Sequence, residues 1–382
     1  MHRLPVTCTA RADDLRPTVR RDFAVNLVLG GFYSPIAKRR AEAFLLAHTL
    51  VDGIALEPVS PKKSPWAAAI LIVLFVALRV AGEFGHGPPL PLVIVGGVLL
   101  MPYLWGTVTA RAVASVRWQG WQPRFAATWR EIYLSSWPLL LLGFAWAAAE
   151  PFVARAADAA QGELDARWIA GTLAAVLVSF PLLVRLAFEW KRLRLERTLV
   201  DRHRVHWAGT FAQVLRIWAS TLAAILVVAV LPVVLLRYAV LGSFTVAGLD
   251  TRTAALATLA GVAVAFVLST PVRAWHEARM FVLTWDDLSL GDFARVHCML
   301  DTREFARMRT RNLLRSLVSF GRSRPQATVD AWCAKAASLT VEARESRLPD
   351  QAAAPGGNSL ASQSRNNATA FFAPERGAHT AR

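Results

Sequence analysis

Three cysteines are all the chain has, and Cys8, Cys298 and Cys333 share no Cys-x-x-Cys spacing and form no even set. Neither a disulfide framework nor a zinc site is indicated. Charge is scarce as well: Asp, Glu, Lys and Arg together make only 18% of 382 residues. No acid, lysine or histidine sits at the centre of a long apolar block, which weakens a proton-coupled transport path. Arg79, Arg237, Arg185 and Glu189 fall near the ends of such blocks, where long side chains reach an interface. Residues 1–21 are polar, basic and broken by proline, so they lack the apolar core of a secretion signal. Gly-x-Ser-x-Gly and P-loop patterns are missing, and His276-Glu277 has no second His to complete a zinc-protease motif. His203 and His206 follow Asp201, but imidazoles three apart meet only on a helix, and this stretch reads as extended. No catalytic residue, cofactor or metal site is therefore assigned.

What is abundant is apolar sequence, 54% of the chain. It falls into six blocks: residues 66–82, 90–110, 133–149, 168–188, 217–240 and 254–275. Most reach the roughly 20 residues that a bilayer core requires. Only a helix satisfies its own backbone groups at that depth, so each block is expected to be helical. Pro102, Pro138, Pro181, Pro232 and Pro271 lie inside these blocks and predict kinks. Fourteen Trp fit a protein with many anchors at headgroup depth. The basic residues lie in alternate segments. Lys38, Arg39, Arg40, Lys62 and Lys63 precede the first block, and Arg111, Arg117, Arg124 and Arg130 follow the second. Lys191, Arg192, Arg194, Arg197, Arg202 and Arg204 follow the fourth, and a run from Arg279 to Arg315 follows the sixth. That alternation predicts a multi-pass protein of the bacterial inner (cytoplasmic) membrane with both termini cytoplasmic. It also accounts for the net charge of +16 without nucleic acid.

The patterned residues lie in the basic segments. Residues 22–53 hold Asn26, then Gly30-Gly31-Phe32-Tyr33-Ser34-Pro35, the cluster Lys38-Arg39-Arg40, and a close of Thr49-Leu50-Val51-Asp52-Gly53. Thr49–Asp52 is repeated as Thr198-Leu199-Val200-Asp201, with looser copies at Ser115–Trp118 and Thr284–Asp287. Asn26 to Pro35 has an echo from Asn312 to Pro325. Recurrence at one topological position points to duplication. Asp52-Gly53 between two apolar triplets predicts a β-hairpin, because Asp-Gly supplies the positive φ of a type I′ turn. Residues 115–125 turn around Gln119-Gly120 and residues 284–296 at Gly291, so short strands that pair into one small sheet are expected. The alternative is four independent amphipathic helical loops. Ala37, Ala41, Phe44, Leu45 and His48 share one helical face opposite Lys38, Arg39 and Glu42, which predicts an interfacial helix.

Asn26-Leu27 through Gly31-Phe32-Tyr33-Ser34-Pro35, Ala37-Lys38, Arg40 and the Thr49…Asp52-Gly53 close resemble the opening of the YjgN-like family of bacterial inner-membrane proteins. The later aromatic hairpin segments and the Asn312 to Pro325 echo resemble that family's recurring units, so the likeness runs through most of residues 22–342. Ile36 stands where the family motif carries Trp. The resemblance implies an architecture and no known chemistry.

The expected fold is mainly α: a polytopic membrane protein of six transmembrane helices, with short cytoplasmic β-hairpins and amphipathic helices, internally repeated. Residues 1–65 would form a cytoplasmic segment with the motif and first hairpin, and 66–275 the membrane region with loops at 111–132 and 189–216. Residues 276–346 would form a second cytoplasmic unit, and 347–382 a disordered tail. The expected role is non-catalytic. Beyond the lipid bilayer, the expected partner is a cytoplasmic protein or anionic lipid, met by Asn26, Gly31, Tyr33, Pro35, Lys38, Arg39, Arg40, Thr49, Asp52, Gly53, Thr198, Asp201 and Thr284. A small-solute transporter is the alternative, on the strength of repeats and proline-broken helices.

Overall fold

Turn chemistry frames the fold. Asp52 and Gly53 take φ of 52° and 76°, and Gln119 and Gly120 take 48° and 82°. Two successive left-handed residues give the type I′ turn, whose twist suits a two-residue hairpin. Asp201 (55°) and Gly291 (52°) hold left-handed positions in two further reversals. The computed structural model describes residues 2–28, 33–59, 73, 90–158, 166–201, 203–235, 251–291, 294–319 and 321–344.

In chain order the described elements begin with β1 (His2–Cys8), α1 (Ala12–Val28), α2 (Ser34–Ala47), β2 (Thr49–Val51), β3 (Ile54–Ala55), β4 (Glu57–Pro58) and α3 (Leu90–Val113). Next come β5 (Val116–Arg117), β6 (Arg124–Phe125), α4 (Trp129–Ser135), α5 (Trp137–Asp158), α6 (Ala166–Glu196), β7 (Thr198–Val200) and β8 (His203–Trp207). Helix α7 (Phe211–Ile225) runs on through a π-helical turn at Leu226–Val230 to Leu235. The chain closes with α8 (Thr251–Leu268), α9 (Thr270–Asp286), β9 (Leu288–Leu290), β10 (Ala294–Cys298), α10 (Thr302–Val318), α11 (Arg324–Ala337) and β11 (Leu339–Ala343). Helix starts follow local rules. Thr128 with Glu131, and Thr210 with Gln213, form capping boxes at α4 and α7.

Nine strands pair antiparallel in the order β3-β2-β1-β11-β10-β9-β8-β7-β6, and β4 pairs with β5. The two sheets are linked at both ends. β3 runs into β4 across Leu56, whose N–H donates to Thr49 O at 3.0 Å. β5 turns into β6 through a splayed hairpin, held where Trp118 and Trp121 exchange N–H···O bonds of 2.9 and 2.8 Å. Strand neighbours, followed through these junctions, therefore form a closed circuit. The edges left open, at β3 and β6, belong to strands only two residues long, which limits strand addition by another chain.

Antiparallel pairing throughout places the tight turns at one end of the strands and the helical excursions at the other. Five excursions leave from that end: α1–α2, the chain through α3, α4–α5–α6, α7–α8–α9 and α10–α11. Cross-strand register sorts the faces. Leu4, Val341 and Val296 lie in one row, beside buried Ala343, Val205 and Trp207. Helices cover this side: Trp207 packs with Val184 and Phe188 of α6 and Val214 of α7. A second core joins Leu15, Phe44, Leu45 and Val329 of α1, α2 and α11. A third joins Ala278, Phe305 and Ala331 of α9, α10 and α11.

Several sequence expectations change here. The Asp-Gly and Gln-Gly hairpins form, and the basic segments carry strands instead of four independent helical loops. The sheet is larger than expected, because β1 and β11 enter it between the hairpins. Cys8 on β1 and Cys333 on α11, for which the sequence indicates no disulfide framework, are disulfide-bonded, with Cα atoms 5.1 Å apart across 325 residues of sequence. Sequence spacing carries no sign of a contact that only the β1–β11 pairing creates. The interfacial-helix expectation for α2 also fails. Phe44 and Leu45 are buried against Leu15 and Val329, so α1 and α11 cover its apolar face and leave no lipid-facing stripe.

Of the six apolar blocks, the fourth and fifth fall in helices long and apolar enough to cross a membrane, Leu173–Glu196 and Phe211–Leu235. The sixth is a broken candidate, Leu259–Leu268 plus Thr270–Asp286, bent by 46°. The described residues thus hold two candidate spans, or three with the bent pair counted as one, not six. The second and third blocks fall in α3 and α5. The first block, apart from Val73, and the tail 347–382 lie outside the described residues.

Candidate functional site

The motif of residues 22–53 folds into α1, α2 and β2, and its polar groups mostly face inward. Asp22 is only 4% exposed, and Arg40 Nη1 donates to its Oδ1 at 3.1 Å. A carboxylate so far from water needs a paired donor, and Arg40 supplies it. The Arg40 guanidinium also lies 5.6 Å from the Tyr33 ring centre, a cation–π contact. Tyr33 caps α2, its carbonyl accepting from Ile36 and Ala37 N–H, and Pro35 sits in the first turn, where no donor is missed. Asn26, near the end of α1, has a buried Oδ1 with no partner among the described residues. The Asn312 echo occupies a matching place on α10: Asn312 is 5% exposed and its Nδ2 donates to Asp330 Oδ2 of α11 at 3.1 Å. Gly31 lies outside the described residues. Lys38 and Arg39 point to solvent, with Lys38 Nζ 3.9 Å from Glu42.

The recurring threonines share one local task. Thr49, Thr198 and Thr284 each donate their hydroxyl to the carbonyl four residues back, on Leu45, Arg194 and Met280. Ser115 does the same toward Ala112, three residues back. Thr49, Thr198 and Ser115 do so where a helix ends ahead of a strand, whereas Thr284 does so within the last turns of α9. Thr49 is buried and also accepts from Trp332 Nε1 at 2.9 Å, tying α2 to α11. Asp52, Gly53 and Asp201 are turn residues, and Asp52 N–H donates to Pro5 O of β1 at 3.1 Å.

The other face of the sheet carries polar side chains. Arg3, Glu342, Arg295, Ser289 and His206 are directly opposite one another across β1, β11, β10, β9 and β8. Arg204 and Arg124 extend this face through Leu199. Arg3 Nε donates to Glu342 at 2.9 Å, and His297 Nε2 lies 3.5 Å from the same carboxylate. Arg124, Arg204, Arg295 and His206 are exposed. His203 and His206 project from opposite faces of β8 by strand alternation. Among the described residues no group of three His, Cys, Asp or Glu comes together. Burial raises the Cys298 thiol above its ordinary pKa, which makes it a poor nucleophile.

A family model described as bacterial protein of unknown function, DUF898, matches residues 22–360. The chain belongs to that family. The YjgN-like resemblance is to this same DUF898 family. No curated protein and no solved structure matches the chain.

The DUF898 match takes in both the exposed face from β6 to β11 and the apolar helices. Those helices leave their side chains uncovered. Only 28% of the apolar window in Leu173–Glu196 is buried, and 11% of that in Phe211–Leu235. Leu177, Phe144 and Leu259 are 72%, 70% and 67% exposed. Where the DUF898 bundle meets the sheet, polar groups pair between helices. Thr221 donates to Ile217 O at 2.6 Å, which leaves His276 Nδ1, 2.9 Å away, as donor to the same hydroxyl. Glu277 of α9 accepts from Arg309 of α10 (3.1 Å) and Lys335 of α11 (2.5 Å). Sequence reading missed Glu277 and Asp22 because their partners lie 32, 58 and 18 residues away.

Proposed function

We propose that this DUF898 protein is a multi-pass protein of the bacterial inner membrane whose extramembrane strand circuit is a non-catalytic binding module for an acidic surface, on a cytoplasmic protein or anionic lipid. The observation that carries it is the division of exposed surface. The helices expose leucine, valine and phenylalanine that only hydrocarbon would cover. The outward face of the sheet exposes Arg124, Arg204, Arg295 and His206. Six spans, arisen by duplication, would return the chain to the sheet after each excursion. Basic residues on the sheet side support a cytoplasmic position for it. The Cys8–Cys333 bond pulls the other way, since the cytosol keeps thiols reduced. The basic segments weigh more, because they recur in alternate segments along the whole chain.

Photo-crosslinking in cells from probes at Arg204, Arg295 and Arg39, in otherwise intact protein, tests the module. An adduct with an acidic protein or anionic lipid, lost when Arg124 and Arg204 become Glu, is expected. No adduct above background from any position sinks the reading. One observation favours a small-solute transporter as the second reading: the 46° break between α8 and α9 lies against the π-helical turn after α7. Discontinuous helices build midplane solute sites in transporters. Uptake into proteoliposomes above empty vesicles would move the assignment there.

A further inference from the structure

A groove of about 510 Å³ lies where three helices meet: Ser220, Ala224 and Val228 from α7 and its π-helical turn, Pro271, Val272 and Trp275 from α9, and Arg303, Ala306 and Arg307 from α10. Each helix contributes residues three or four apart, so one face of each lines it. The lining surface is almost wholly apolar, and Arg303 and Arg307 border it. The α7 and α9 walls are almost wholly apolar, and they belong to helices whose neighbouring side chains face outward. The α10 wall brings two arginines one turn apart, both exposed. Their guanidiniums make no ion pair among the described residues. The acid that interacts with both is Asp301, the N-cap of α10. Its carboxyl is held below the usual range first by backbone N–H groups of Arg303 and Glu304, then by these two guanidiniums. Asp301 is solvent-exposed and already takes two backbone N–H bonds, so it leaves the guanidinium forks free.

We infer that this groove binds an anionic phospholipid, with an acyl chain against Ala224, Val228, Val272 and Trp275 and its phosphate held by Arg303 and Arg307. The inference rests on the membrane reading above and adds a site that the strand circuit does not contain. Charge complementarity selects the occupant. An apolar trough bordered by two exposed arginines, with a single acid, Asp301, beside them, matches a molecule with hydrocarbon at one end and phosphate at the other. A zwitterionic lipid brings its own ammonium to the phosphate and gains less from the pair. A π-helical turn shifts the helix face by one residue, and such turns recur at functional sites. Here it sets Val228 into the groove. Trp275 suits headgroup depth, and Arg279 lies 5.6 Å from its ring centre, adding positive charge beside the site.

Native mass spectrometry of the full chain, released from nanodiscs of phosphatidylglycerol and phosphatidylethanolamine, tests this. Wild type should retain phosphatidylglycerol preferentially, and Arg303→Gln with Arg307→Gln should weaken retention roughly tenfold to thirtyfold. Arg311→Gln with Arg315→Gln removes equal charge from exposed positions of the same helix off the groove, and should change nothing. Ala224→Trp, which fills the apolar end, should also lower retention. Equal loss from both arginine pairs, equal retention of the two lipids, or displacement by millimolar inorganic phosphate would each overturn the site. An alkaline carbonate wash of membranes keeps this separate from the membrane reading. Variants that stay in the pellet with wild-type lipid retention refute the groove alone, whereas wild type in the supernatant refutes the reading beneath it.

Discussion

The α1–α2 and α7–α8–α9 excursions leave the same end of the same sheet, yet they solve burial in opposite ways. α1–α2 closes much of its apolar stripe internally, with Leu15 and Leu45 at 0% and 2% exposure against Val329, and leaves Phe23, Val28 and Ile36 exposed. Its buried charge, Asp22, is matched by Arg40 from the next helix. Helix α9 of the other excursion carries Arg273, His276, Glu277 and Arg279, but the apolar window of α7 is only 11% buried. A helix of that kind is stable only where something apolar surrounds it. One strand–helix–helix–strand plan therefore serves both an excursion with a closed core and an excursion whose apolar side chains stay uncovered. Side-chain polarity alone decides which.

The largest expected effect breaks this contrast at single leucines. Leu45→Ala should lower stability by about 2 to 5 kcal/mol, since it opens a cavity in a closed core. Leu177→Ala, 72% exposed, should cost about 0.5 kcal/mol or less in detergent. Thermal unfolding of both variants in one detergent decides it, and equal losses would mean the two excursions are not built differently. Next in size is Arg40→Gln, which strands the Asp22 carboxylate and should cost about 3 kcal/mol. Lys38→Gln, two residues earlier and solvent-facing, should cost almost nothing. Adding Asp22→Asn to Arg40→Gln should recover part of the loss, and a double-mutant cycle with no coupling would remove the pair from the account. Smaller again is Gly53→Val at φ 76°, about 1 to 2 kcal/mol, because a β-branched residue resists the left-handed turn. Faster hydrogen exchange confined to β2 and β3 is the expected readout, and unchanged exchange there would show that the turn does not hold the hairpin.

Legibility in the sequence followed the range of the interactions. The Asp52-Gly53 and Gln119-Gly120 turns were readable because two adjacent residues decide them. The apolar blocks were readable as helices because periodicity and composition are summed over many positions. The β1 strand was not, since residues 2–8 carry little apolar alternation beyond Leu4 and Val6, and β11 completes it from 339 onward. The Cys8–Cys333 contact follows from that pairing and was invisible for the same reason. The amphipathic face of α2 was seen correctly, but sequence cannot say whether protein or lipid covers it. Among the motif residues, Thr49, Thr198 and Thr284 stood out as a pattern. Their shared bond to a helix carbonyl explains the pattern locally, while Arg204 and Arg295, legible in sequence only as members of basic segments, share one exposed face through the register of the sheet.

The smallest effect concerns how an apolar excursion is fastened to the sheet, and pH reads it. Glu131 opens α4 and pairs with Arg197, which follows the last residue of α6, so one ion pair ties both ends of the third excursion. The Glu131 carboxyl sits below the ordinary glutamate range, chiefly because the Thr128 backbone N–H donates to it, and further because of Arg197, with burial opposing both. A carboxyl depressed in the folded state stabilises it at pH values above the unfolded pKa, and that contribution fades as pH falls through the folded value. Nothing should change between neutral and mildly acid conditions, and hydrogen exchange at the start of α4 should quicken only below the ordinary carboxylate range. The pair is about a third exposed, so the effect is small and screened by salt. Glu131→Gln keeps a side-chain acceptor for the cap and removes the charge, and it should flatten the acid response of α4 while leaving α2 untouched. An acid response in α4 that survives Glu131→Gln would show that another group fastens the excursion.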